Sequence, residues 1–130
     1  MNFFWSGISA AAIAYLINRW LVNRYGLASV IYLVPLTEET LKTFLPLWTD
    51  ASIFLTHVIF GLIEAVYDYS QKPEKKYLTM LSSVLSHALL GGATVFFYTQ
   101  TGRIFYGWLI SLLLHVFWNA WIIRGGHHCK

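Results

Sequence analysis

An all-α, polytopic bundle of membrane-spanning helices is the fold class this sequence predicts, and three observations carry it. Of its 130 residues 57% are hydrophobic and only 12% charged, too few charges to cover the surface of a soluble domain of this length. The apolar residues arrive in blocks of about 20, enough to cross about 30 Å of hydrocarbon at 1.5 Å per residue. Between the blocks there is no room for a soluble module, and no internal repeat or low-complexity tract breaks the pattern. The chain therefore reads as one integral membrane domain with multi-pass placement in a cell membrane.

Five spans follow in order, at about 3–22, 27–48, 51–70, 77–99 and 103–124, with ends good to about 2–4 residues. The first has no basic segment ahead of it. Its positive charges, Arg19 and Arg24, come after the apolar run, the reverse of a secretory signal, so it reads as a span and not a cleaved peptide. The second holds Pro35 and Pro46. Each removes a backbone donor, which predicts a kinked or broken helix whose freed carbonyls find partners on neighbouring helices. The single cysteine, Cys129, allows no intramolecular disulfide and places no constraint on compartment.

Orientation follows the lysines and arginines. Arg19 and Arg24 fall in the first loop, Lys72, Lys75 and Lys76 in the third, and Arg124 and Lys130 in the tail, against Arg103 alone on the other side. This places the N-terminus outside and the C-terminus in the cytoplasm. The net charge of +3 then suits anionic lipid headgroups and calls for no nucleic-acid partner.

Charged side chains at membrane depth cost about 2.5–3.5 kcal/mol each on insertion scales, so they normally face a bundle interior and act there. The set comprises Glu38, Glu39 and Lys42 in span 2, His57, Glu64 and Asp68 in span 3, His87 in span 4, and His115 with Asn119 in span 5. Counted from the cytoplasmic ends, Glu39 lies about 18 Å deep, His87 about 15 Å, His115 about 12 Å and Glu64 about 8 Å. Asn119 lies one turn below His115 on the same face. Four spans thus deliver polar groups to one layer. His57 computes to near the outer face, where a packed histidine is the ordinary explanation, and Asp68 to the cytoplasmic interface.

Plainer readings apply to other features. Lys42, at i+4 from Glu38 and i+3 from Glu39, neutralises one of the two acids and leaves the other without a local partner. The tryptophans belong mainly to interface belts. Gly91 and Gly92 read as close-approach positions between helices.

Two glutamates, two histidines and an asparagine supply what water attack on an amide requires. A carboxylate in a low dielectric is a candidate general base. Imidazoles hold water, donate to an oxyanion or ligate metal. A side-chain amide stabilises an oxyanion, a contact worth about 2.7–4 kcal/mol in hydrolases.

The motifs also stand in a suggestive order. Glu38-Glu39-Thr40-Leu41-Lys42 reads EExxK, Phe60 to Glu64 reads FxxxE, His87 is followed by Gly91, and His115 to Asn119 reads HxxxN. Over residues 30–123 this resembles the PrsW-type membrane proteases, of the superfamily that holds the CAAX prenyl proteases and bacteriocin self-immunity proteins. The prenyl proteases carry FxxxH where this chain has Glu64, and an arginine one position beyond Lys42, so the likeness is to the PrsW side. The resemblance implies a membrane-embedded glutamate peptidase acting on a membrane protein or peptide, with Glu38 or Glu39 activating water. It further implies that Glu64, His87, His115 and Asn119 complete the site.

In the mechanism we expect from it, His87 holds the water, His115 and Asn119 stabilise the oxyanion, Lys42 orients the glutamate pair and Glu64 positions a histidine. No metal or other cofactor is expected. There is no HExxH pair, although this donor set would also suit zinc. Two other classes remain open on the residues: a non-catalytic binding or immunity protein that keeps the motifs, and a proton or ion transporter, for which an inverted repeat is missing. Substrate and oligomeric state are not written in the sequence.

Overall fold

The structure, a computed structural model, describes residues 2–71 and 76–126, with the side chains of all but 71, 76, 125 and 126. Lys72, Lys75, Cys129, Lys130 and the side chain of Lys76 thus lie outside the described residues. Five helices form the fold: α1 (Phe3–Tyr25), α2 (Leu27–Trp48), α3 (Ile53–Gln71), α4 (Lys76–Thr101) and α5 (Ile104–Gly126). No strand occurs among the described residues. The helix boundaries lie within a few residues of those expected from the apolar blocks.

The connections are short and chemically specified. The Asn2 side chain caps α1 by accepting the Phe4 N–H at 3.3 Å. Gly26 alone separates α1 from α2, at a φ of 66° that side-chain-bearing residues rarely adopt. Ser52 Oγ accepts the Leu55 N–H at the start of α3. Thr101 Oγ1 takes the Arg103 N–H in the turn into α5. Helix α2 runs unbroken through both prolines, so the break that Pro35 and Pro46 suggest does not occur. Pro35 and Pro46 are both buried.

Neighbouring helices close a ring in the order α1, α2, α5, α4, α3 and back to α1, with α2 also reaching α3 across the middle. Small residues let α1 approach: Ser6, Ala10 and Ala14, spaced four apart, are all buried. Its polarity is inverted relative to a soluble protein. Among the described residues, buried polar side chains outnumber buried apolar ones, while Trp48 (82% exposed), Leu89 (73%) and Phe117 (69%) stand outward. An apolar exterior of this extent is consistent with a membrane setting.

Three helical stretches, Ile53–Ser70, Tyr77–Thr101 and Ile104–Arg124, are long and apolar enough to cross a membrane, consistent with a membrane protein. The other two are interrupted by polar groups. Helix α2 holds Glu38, Glu39 and Lys42, and α1 ends in a segment with Asn18, Arg19, Asn23 and Arg24.

Candidate active site

Helix α2 places Glu38, Glu39 and Lys42 in the middle of the ring, and all three are buried. Lys42 is the hub. Its Nζ lies 2.6 Å from Glu39 Oε1, 3.8 Å from Glu38 Oε2 and 2.9 Å from His87 Nδ1, and 4.6 Å over the Phe60 ring. Charges shielded from water are tolerated only when paired in this way.

Each of the two flanking helices grips one glutamate with a serine and a histidine four residues apart. On α4, Ser83 Oγ donates to Glu64 Oε2 at 2.9 Å and His87 Nε2 meets the same oxygen at 2.5 Å. On α5, Ser111 Oγ donates to Glu39 Oε2 at 2.5 Å and His115 Nδ1 lies 2.7 Å from Oε1. Serine and histidine at i and i+4 project from one helical face, which is why the pair converges on a single carboxylate. A second repeat locks α3 to α4. His87 packs over Gly61 and His57 over Gly91, so that a Cβ at either glycine would come 2.8 Å and 2.7 Å from the opposing histidine Cβ. Both are His-x-x-x-Gly pairs, running in opposite directions. Gly91 thus permits close approach as expected, whereas Gly92 has open space beside it.

Partner chemistry fixes the histidine protons. An ammonium has no acceptor, so Nδ1 of His87 accepts from Lys42 and its N–H is at Nε2, donated to Glu64. Both nitrogens of His87 are therefore occupied. A carboxylate has no donor, so His115 Nδ1 carries the N–H to Glu39, and in the neutral ring Nε2 keeps a lone pair. That nitrogen lies 3.8 Å from Glu38 Oε2.

The two glutamates differ accordingly. Glu39 accepts from Lys42, Ser111 and His115. Glu38 accepts the Asn18 Nδ2–H on Oε1 at 2.8 Å, while its buried Oε2 has no hydrogen-bond partner among the described residues. Glu38 and Glu64 also stand where two cavities adjoin. One, of about 870 Å³, is mainly apolar and walled by α1, α2 and α3, including Tyr15, Asn18, Phe60 and Ile63. The other, of about 430 Å³, is more polar and includes Asp68, Ser83, His87, His115 and Asn119.

Glu38, Glu39, Lys42, Glu64, His87 and His115, expected in one layer, thus form one connected network. Asn119 lines the second cavity, but one of its amide hydrogens goes to the Val30 carbonyl at 2.9 Å, tying α5 to α2. Asp68, placed at the interface by its depth, lines the same cavity.

His57 does not stand apart as expected. It is fully buried with Nδ1 4.0 Å from Glu39 Oε2. Counted from the Ser70 end at 1.5 Å per residue it lies about 20 Å deep, level with Glu39. Asn18, Ser83 and Ser111 were not singled out from the sequence, though the repeated Ser-x-x-x-His spacing of 83–87 and 111–115 would have exposed the two serines.

Glu38, Glu64 and His87 each offer a ligand atom, all within 4.8 Å of one another. The set does not suit a cation as arranged. The His87 nitrogen that faces the carboxylates carries the proton, and the Lys42 ammonium sits behind the ring.

Compared with known proteins, the chain matches no family model, no curated protein and no solved structure.

Proposed function

We propose that this protein is a membrane-embedded, glutamate-dependent peptidase that hydrolyses a membrane or membrane-proximal peptide bond. One observation carries the reading: Glu38 Oε2, buried and without a hydrogen-bond partner among the described residues, lies 3.8 Å from His115 Nε2 on a residue shared by an apolar and a more polar cavity. Two acceptors so placed suit a water molecule, which has two protons to give. The motif order that resembles PrsW-type proteases supports the same chemistry.

In the proposed reaction, Glu38 takes a proton from that water as its oxygen bonds to the scissile carbonyl carbon. The tetrahedral oxyanion is met by the second amide hydrogen of Asn119 and by the Lys42 ammonium. The C–N bond then breaks, and Glu38 returns the proton to the departing nitrogen. Glu39 acts through others. It holds His115 in the tautomer that accepts from water and neutralises Lys42, while Glu64 holds His87 against Lys42. His115 thereby takes the water-holding role that the sequence suggested for His87, and His87 serves to position Lys42.

We further propose that all five helices cross the bilayer, with the N-terminus outside and the C-terminus cytoplasmic, on the distribution of lysine and arginine. The charges of α2 do not oppose this, because they face the ring interior.

The test is hydrolysis of a peptide library by purified protein and by Glu38→Ala, Glu39→Ala and His115→Ala. All three substitutions are expected to abolish cleavage. Undiminished cleavage in all three rejects the peptidase reading, and retained peptide binding without any cleavage by the native protein would favour a non-catalytic binding protein.

A further inference from the structure

Among the polar residues on the α1 wall of the apolar cavity, Asn18 is the one bonded to Glu38, and its chemistry is directional. Asn18 Nδ2 donates to Glu38 Oε1, and because a carboxylate only accepts, the amide orientation is fixed. Oδ1 must then point away from Glu38. That oxygen is buried and has no hydrogen-bond partner among the described residues. The cavity that Asn18 lines is mainly apolar, with Ala11, Val34, Phe60 and Ile63 in its wall beside the polar Arg19 and Asn23 of α1.

We propose that Asn18 is a substrate-reading residue, whose side-chain carbonyl accepts the N–H of a peptide bond lying in the cavity between α1, α2 and α3. This inference rests on the peptidase reading above and deepens it. The cavity, about 870 Å³, falls in the range that encloses ligands, about 300–1,000 Å³. Its mainly apolar wall selects apolar side chains, and the buried Asn18 acceptor requires a donor. A secondary amide meets both demands, whereas an ester or a hydrocarbon chain lacks the N–H and leaves the carbonyl unpaired.

Asn18 touches Glu38 through its other end, so the amide it reads is adjacent to the bond presented to Glu38. Selection for a peptide backbone and positioning of the base are thereby joined in one side chain. Helix α1 lies ahead of the segment that carries the sequence motifs, which is why none of them contains this residue.

The test is an ester scan of binding. A fluorescent, N-acetylated Leu-Ala hexapeptide is titrated into detergent-solubilised His115→Ala protein, which keeps the Asn18–Glu38 contact and under the proposed mechanism does not turn over. Each amide in turn is then replaced by an ester. One ester position is expected to weaken binding about tenfold, and the same ester is expected to cost nothing further in the Asn18→Leu, His115→Ala double variant. The inference is overturned if the peptide does not bind, if every ester analogue binds as the parent amide does, or if the loss persists without Asn18. Should Asn18→Leu not fold, Asn18→Ala takes its place in the same comparison, and a flat scan on the single variant overturns the inference in either case. Failure of the peptidase reading shows separately, as absence of cleavage by the native protein alongside an intact ester pattern.

Discussion

Lys42 Nζ lies 2.9 Å from His87 Nδ1 and 2.6 Å from Glu39 Oε1, so a single ammonium joins the carboxylate held by α5 to the histidine of α4. Removing it leaves a buried carboxylate without its cation. Breaking a buried pair by deleting one partner costs about 3–5 kcal/mol. Lys42→Met is therefore expected to lower stability by that amount, read as a fall in the thermal or denaturant midpoint in detergent. A midpoint within error of the native protein would show that Lys42 does not bind the ring together.

The same contact bears on metals. With the Lys42 ammonium on one ring nitrogen and the proton on the other, His87 presents no lone pair to Glu38 and Glu64. Added zinc is expected to leave the melting temperature of the apo protein unchanged, and dialysis against a chelator to leave peptide cleavage unchanged. A zinc-dependent rise of several degrees, abolished by His87→Ala, would contradict the proton assignment.

The interlock of α3 and α4 makes a graded prediction. A methyl group at Gly61 or Gly91 meets a histidine Cβ well inside contact distance, whereas one at Gly92 meets nothing. Overpacking typically costs about 1–3 kcal/mol. Gly61→Ala and Gly91→Ala are each expected to destabilise by that amount and Gly92→Ala to be neutral or stabilising, measured by denaturation in detergent. Gly61→Ala should also reduce cleavage, because it displaces His87 from its bonds to Lys42 and Glu64.

How far the sequence carries can be judged from particular residues. The five helices were legible because blocks of apolar residues are punctuated by Gly26, by Asp50 to Ser52 and by Gly102 with Arg103. Glu38, Lys42, Glu64 and His115 were legible because an ionisable group within an apolar block has few structural explanations. Depth alone could not say which atom meets which. It set His57 apart by its nearness to the outer end of its span, although counting from the cytoplasmic end, as for the others, brings it level with Glu39. Nor could spacing separate Glu38 from Glu39. Their difference arises from tertiary partners, Asn18 for one and Ser111 with His115 for the other. Asn18 itself was invisible, since a lone asparagine in an apolar helix carries no motif.

The proposed orientation is checked by labelling in intact cells, after Cys129→Ser removes the native thiol. Ala51→Cys, between α2 and α3, is expected to react with a membrane-impermeant maleimide from outside. Tyr25→Cys, beside the α1–α2 turn, is expected to react only after permeabilisation. The reverse pattern would invert the topology, and labelling of both from outside would show that α2 does not cross.

The account's central claim is that Glu38, and not its neighbour, is the base, because it alone of the two keeps a carboxylate oxygen free of hydrogen-bond donors. Its most direct test is the cleavage rate of one membrane-embedded peptide by native, Glu38→Gln and Glu39→Gln proteins, measured alongside their melting temperatures. The account expects Glu38→Gln to lose cleavage with its melting temperature nearly unchanged, and Glu39→Gln to lose stability as well as activity. Native-like cleavage by Glu38→Gln would contradict it.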